Sequence, residues 1–198
     1  APSHLNRAGM GECICQLGAL GAWRWWDAQG LGGLPFDSHL CDKTAYWVRQ
    51  RCAKFSEDLD EDGQPGEIGI RIAAEINRER YDLPTRNISE GSSLDHLFVV
   101  AFELTHKREL IHAEAVSLGS LIGAYVYESD FVETKALLDS CGVRYRPADI
   151  GCTQAEVRET LDRINEPGGL PGPDNWFHHR QLNEKDFIVM MSKIDSRD

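Results

Sequence analysis

The sequence has no C-x-x-C pair, no apolar run of bilayer-spanning length, no clear β-strand and no internal repeat. Each absence closes off a class. A zinc knuckle needs paired cysteines at that spacing, and a membrane helix needs about 20 consecutive apolar residues. Basic residues are also scarce, 21 Lys and Arg against 32 Asp and Glu, for a formal net charge of -11. Nucleic acid is therefore not an expected partner, because its phosphates would be repelled; a local positive pocket for an anionic substrate remains compatible. The first residues lack the basic-then-apolar pattern of a signal peptide, which points to the cytoplasm. In that reducing compartment Cys13, Cys15, Cys41, Cys52, Cys141 and Cys152 are expected as buried free thiols. Three disulfides would be the alternative in a secreted protein.

What is present is helical. The 198 residues, 41% hydrophobic, suffice for one domain with a real core. Apolar residues recur at helical spacing over about Arg7–Gln29, Asp37 or Ser38 to Leu59, Pro65–Tyr81, Ser92 or Ser93 to Leu104, Ile111–Tyr127, Phe131–Ser140, Gln154–Ile164 and Glu184–Ile194. Thr153 with Glu156 predicts a capping box, and Gly142 a left-handed helix end. The segment Ile111–Tyr127 is apolar on nearly every face, which predicts a central buried helix. The expectation is a single all-α helical bundle over residues 1–198. Trp23, Trp25 and Trp26 read as a packing anchor, with a ligand-stacking shelf as the sharper alternative. Gly30 to Pro35 is glycine-rich, but no strand precedes it and Pro35 stands where a helix should begin, so it reads as a linker. Asp58-Leu59-Asp60-Glu61-Asp62-Gly63 matches the first half of a calcium loop. Pro65 at position eight and Gly69 at position twelve break the second half, leaving a solvated acidic turn.

One stretch stands out chemically. Leu110-Ile111-His112-Ala113-Glu114 puts a histidine and a glutamate at the mouth of the most apolar helix, where burying charge is costly unless something offsets it. A bound cation is one such offset. His96 lies sixteen positions upstream, and Asp95, Glu103, Glu114 and Glu12 could supply the oxygen that often completes a histidine pair. If the two helices pack antiparallel, sixteen residues would normally separate their outer ends; the Thr105–Glu109 connection shortens the reach, and a bent arrangement could bring both imidazoles to one point. Spacing alone leaves solvent-facing or singly hydrogen-bonded histidines as the plainer reading. His106 could approach the same place, and His178-His179 could line a substrate mouth or sit in a surface loop.

Three stretches in order resemble the C-terminal helical domain shared by dehydroquinate synthases and the iron- or zinc-dependent polyol dehydrogenases, including glycerol and glycerol-1-phosphate dehydrogenases. Arg7-Ala8-Gly9-Met10-Gly11-Glu12 is similar to the R-x-G-x-G-D/E entry whose acid is the first metal ligand. Ser92-Ser93-Leu94-Asp95-His96 is similar to S-G-x-E-H, whose histidine is the second. Leu110 to Gly119 is similar to L-H-G-E-x-V-x-x-G, whose histidine is the third. Gly142 to Gly151 resembles a further connection of the dehydrogenases, G-x-P-x-x-x-x-D-L/I-G. The resemblance implies a zinc or iron site formed by Glu12, His96 and His112, with an open position for substrate oxygen. It also implies an NAD(P) cofactor bound by an N-terminal nucleotide-binding domain that this chain lacks.

The departures separate the functions. Val100 stands where synthases carry a second histidine, Cys15 where they carry a lysine, and Ala113 where the pattern has glycine; the synthases' asparagine before the histidine is missing. The His96 to His112 spacing and the choice of Glu12, by contrast, are closer to the synthases. The resemblance thus implies the metal-binding half of a polyol or alcohol dehydrogenase acting on a small polyol or sugar phosphate. A sugar-phosphate cyclase is the alternative. A non-catalytic helical assembly domain is the third reading, since the apolar helix and the tryptophans would suit an interface, including that of a homo-oligomer.

Overall fold

Two helices with almost no wet face set the architecture. The computed structural model describes residues 2–31, 35–79, 82–83, 93–166 and 182–197, and these form helices with no strand. In order they are α1 (Ser3–Ala8), α2 (Gly11–Ala28), α3 (Ser38–Glu57), α4 (Glu67–Glu79), α5 (Leu94–His106), α6 (His112–Val126), α7 (Phe131–Ser140), α8 (Pro147–Ile150), α9 (Gln154–Asn165) and α10 (Glu184–Asp195). The all-α expectation holds. Every residue of α2 from Gly11 to Trp23 is buried, and so is every residue of α6 from Glu114 to Ala124. A helix apolar all round must be enclosed. Accordingly α2 and α6 pack on each other most extensively, α5 lies against α6, α3 covers α2, and α9 covers α5. No helix among the described residues is long and apolar enough to cross a membrane.

The α2–α6 and α5–α6 crossings are close because two glycines leave no room for a side chain. A Cβ at Gly11 would lie 2.5 Å from the Ala113 carbonyl oxygen and would also strike Ser117 Oγ. A Cβ at Gly119 would lie 2.7 Å from the carbonyl oxygen of Asp95 and 2.8 Å from its Cα. Both contacts are with backbone, which cannot rotate away. The ends of α2, α5 and α6 that carry the candidate ligands are therefore fixed by main-chain packing.

Capping signals locate most boundaries. Thr153 accepts from the Glu156 amide while the Glu156 carboxylate accepts from the Thr153 amide, which completes the expected capping box. Asp37 caps α3 through the Leu40 amide at 3.1 Å. The expected helix from Arg7 to Gln29 is in fact two. It breaks at Gly9-Met10, where Met10 N–H donates to Arg7 O in a tighter turn before the α2 ladder begins from Met10 O. The two glycines flanking Met10 weaken the helix here, and Gly9 packs against Ala73 of α4. The single turn α8 was not anticipated; Pro147 sits in its first turn.

The acidic turn after α3 satisfies its own backbone. Asp60 Oδ1 accepts from the amides of Asp62 and Gln64, and Asp58 Oδ2 accepts from Gly69 N–H at 2.6 Å. Trp23 packs edge-on against Phe36, and Trp25 packs against Tyr127, so both indoles serve packing. All six cysteines are buried free thiols. Hydrogen bonding with Cys13 raises the Cys52 pKa, and hydrogen bonding with Cys52 raises that of Cys141. Burial pushes Cys41 up to about 11 and Cys152 up to about 12. These four stay protonated at neutral pH and are poor ligands or nucleophiles.

Candidate metal centre

Glu12, His96 and His112 meet at one point. Glu12 is in the first turn of α2, His96 in the first turn of α5, and His112 opens α6. One ligand atom from each lies within 4.8 Å of the other two. His112 Nε2 stands 3.2 Å from Glu12 Oε1, and His96 Nε2 stands 3.7 Å from Glu12 Oε2. The imidazole centroids are 5.5 Å apart. Burial is graded across the three: the Glu12 side chain is 7% exposed, His96 15% and His112 57%. The cluster is thus rooted in the core and opens to solvent on the His112 side.

The rings meet across two helices packed on each other. The glycines of α6 set its register on α5: Gly123 lies against Leu94 and Gly119 against Asp95. Val99 joins Ala115 and Val116 in one apolar cluster. The two helices are therefore antiparallel. Seven residues, about 10 Å of helix, separate Gly119 from His112, and the side chains of His96 and His112 close the remaining gap. α5 ends at His106 with Lys107 in the left-handed conformation.

The other acids offered by the sequence are engaged or turned away. Glu103 is exposed. Glu114 is 1% exposed, and Arg144 holds both its oxygens, Nε to Oε1 at 2.8 Å and a second guanidinium nitrogen to Oε2 at 2.9 Å. Hydrogen bonding to Glu114 in turn raises the Arg144 pKa. The charge that marks the mouth of α6 is thus offset by an arginine, a residue the sequence reading did not single out. Thirty positions separate the two, and nothing local links them. Asp95 is 1% exposed and serves His96: its Oδ1 lies 3.1 Å from His96 Nδ1 and accepts the His96 amide at 2.6 Å and the Ser93 hydroxyl. Cys15 Sγ, Asp95 and His96 form a second group of donors within 4.8 Å of one another.

His106 belongs elsewhere. Its Nε2 lies 3.2 Å from both Glu156 O and Thr160 Oγ1 on α9, and its ring stacks on Phe102. His178-His179 lies outside the described residues, as do Ser92 and the centre of the Gly30–Pro35 linker. Cys15 is fully buried, while Val100 is 44% exposed, so neither position where the synthases carry a lysine or a second histidine supplies one here.

No protein-family model matches the chain. Among curated proteins it is similar to glycerol-1-phosphate dehydrogenase [NAD(P)+] of Thermoplasma volcanium, 27% identical over 165 residues, which covers 83% of this chain and 46% of that protein. The enzyme of the same name from Thermoplasma acidophilum is 24% identical over 162 residues. That from Saccharolobus solfataricus is 33% identical over 172 residues, covering 81% of this chain and 45% of that protein. The chain therefore spans less than half the length of the curated relatives it matches. Those relatives are glycerol-1-phosphate dehydrogenases, to which this chain is similar at 24–33% identity.

Proposed function

We propose that this chain is the metal-binding half of an NAD(P)-dependent dehydrogenase acting on glycerol 1-phosphate or a similar small polyol phosphate. Glu12, His96 and His112 would hold a zinc or iron ion, and NAD(P) would be held by an N-terminal nucleotide-binding domain outside this chain. The observation that carries the reading is the convergence of one carboxylate and two imidazoles from three helices. The donor set fits a borderline divalent cation: one anionic oxygen and two neutral nitrogens, with the fourth direction left to a substrate. Glu12 Oε1 is shut off from solvent, and its position beside two imidazole nitrogens suits a cation among them.

A divalent ion there would act as a Lewis acid toward a substrate hydroxyl, lowering its pKa for hydride transfer to the nicotinamide. The chain's own residues prepare that chemistry. Glu12 supplies a fixed negative charge in a low-dielectric setting. Asp95 orients one imidazole, and the exposed flank of His112 leaves the side from which a polyol can enter. The same three residues would serve a sugar-phosphate cyclase, and a glutamate at position 12 favours that alternative. Cys15, Val100 and the dehydrogenase relatives weigh against it.

Elemental mass spectrometry of the purified chain tests the site. The expected result is about one zinc or iron per chain, lost in a His96→Ala/His112→Ala double variant. On a full-length protein containing this domain, glycerol 1-phosphate should support NAD(P) reduction, whereas a cyclase would release phosphate from a heptulosonate phosphate. No metal in either form and no NAD(P) reduction would sink the proposal.

A further inference from the structure

We infer that Asp95 is a positioning residue that fixes the tautomer of His96, holding the ring proton on Nδ1 and turning the Nε2 lone pair toward Glu12 and His112. The inference rests on the proposed metal site for its purpose. It rests for its mechanism on contacts that exist without any ion.

Two donors and one ring nitrogen converge on a single oxygen. Asp95 Oδ1 receives the Ser93 hydroxyl and the His96 amide, and His96 Nδ1 lies 3.1 Å away. The side chain is 1% exposed, so protein groups and not bulk water meet its oxygens. An ionised carboxylate only accepts hydrogen bonds. The ring nitrogen facing it must then carry a proton, which in a neutral imidazole leaves Nε2 bare. That bare nitrogen faces Glu12 Oε2 at 3.7 Å. A ring lone pair turned toward a carboxylate and a second imidazole is the arrangement a metal ligand needs.

The backbone that carries Asp95 is equally constrained. Gly119 of α6 leaves no space for a Cβ beside the Asp95 carbonyl and Cα. The backbone that carries the orienting carboxylate thus packs directly on the helix that presents His112. A carboxylate behind a ligating imidazole also raises the basicity of the other nitrogen, and loss of such a partner weakens metal binding by about 10–100-fold.

The test uses the full 198-residue chain labelled with 15N-histidine at pH 8, where a free imidazole is neutral. Long-range proton–nitrogen correlation reads the His96 tautomer in the metal-free protein. The expected result is a proton on Nδ1 in the wild type and a shift toward the Nε2-protonated form, which an unconstrained histidine side chain favours, in Asp95→Ala. Chelator competition then reads zinc affinity, expected to fall about 10–100-fold in Asp95→Ala. Asp95→Asn is isosteric and keeps a carbonyl acceptor without the charge. It should keep the Nδ1 proton and lose less affinity, which secures the test if the alanine variant does not fold. A wild-type His96 carrying its proton on Nε2 overturns the inference, as does an unchanged tautomer in a folded Asp95→Ala. Absence of zinc binding by the wild type would instead sink the metal site, and the nitrogen spectra would still decide the role of Asp95.

Discussion

Glu12 and Glu114 are the same residue, both nearly inaccessible, near the starts of the two central helices, yet their surroundings differ in kind. Glu114 meets a guanidinium that takes both oxygens in a planar fork. Glu12 meets two imidazole nitrogens, at 3.2 and 3.7 Å. Burial alone therefore does not mark a site. A buried carboxylate matched by a full positive charge is a structural bolt. One facing ring nitrogens keeps the capacity to take up a cation. The desolvation cost that draws attention to the mouth of α6 is real, and Arg144 offsets it.

The sharpest way to break this contrast is to neutralise each carboxylate in turn. Glu12→Gln should lose zinc affinity by more than the ~100-fold that removal of an orienting partner can cost, read by chelator competition. Glu114→Gln should stay within tenfold of wild type, on the order of the smallest such effect. Equal losses in both variants would erase the distinction. Stability should respond the other way. Removing one partner of a buried pair costs about 3–5 kcal/mol; Arg144 is 36% exposed, and solvent screening lowers the figure. Arg144→Ala should thus cost about 2–3 kcal/mol in urea unfolding of the metal-free chain. Metal itself should stabilise the wild type by about 2.7 kcal/mol at free zinc a hundredfold above Kd, and the His96→Ala/His112→Ala protein not at all.

The next effect concerns the contact that holds the two environments in place. Gly119→Ala adds helix propensity of about 1 kcal/mol, but its Cβ meets Asp95 backbone at 2.7 Å. Overpacking costs about 1–3 kcal/mol and often more when backbone must shift. A net loss of stability together with weakened zinc binding is expected, and a net gain would mean that α5 can move away freely. The smallest effect comes from a third carboxylate, at the surface. Glu156 pairs with Arg108 at 2.7 Å, and that hydrogen bond, with the Thr153 amide, lowers its pKa to about 2. The folded value is below the unfolded one of about 4.5. Its contribution is therefore present above pH 4.5 and lost as the pH falls from there toward 2. Thr153→Ala, which removes the cap, should cost about 1 kcal/mol in thermal or urea unfolding and leave zinc binding alone.

Local chemistry in the sequence accounts for much of the fold. Phe131–Ser140 is recognisable because glycine and a change of periodicity bound it, and α9 because Thr153 and Glu156 write their own cap. The break before α2 is not recognisable, since Gly9 and Met10 keep helical torsions inside a continuous apolar pattern. The trio proposed as ligands was legible only through resemblance; spacing could not reveal that antiparallel helices bring His96 and His112 together by side-chain reach. Arg144 escaped notice for a similar reason, because a pairing thirty positions apart leaves no periodic trace. Asp95 was visible as a neighbouring acid but not as the group behind the imidazole, because which way a side chain turns is decided by packing.

Each of the three proposed ligand residues rides on a helix whose contacts are the core itself, and none sits in a loop. Assembly of the donor set and folding of the domain are then a single event. Small zinc modules that collapse when the ion is stripped behave differently; here chelation should leave the scaffold standing. Backbone amides around Cys15 on α2 and around Leu118 on α6 should exchange with deuterium only through global opening, with or without an ion. The ion could come and go within the lifetime of one folded molecule, leaving the empty cradle ready for the next.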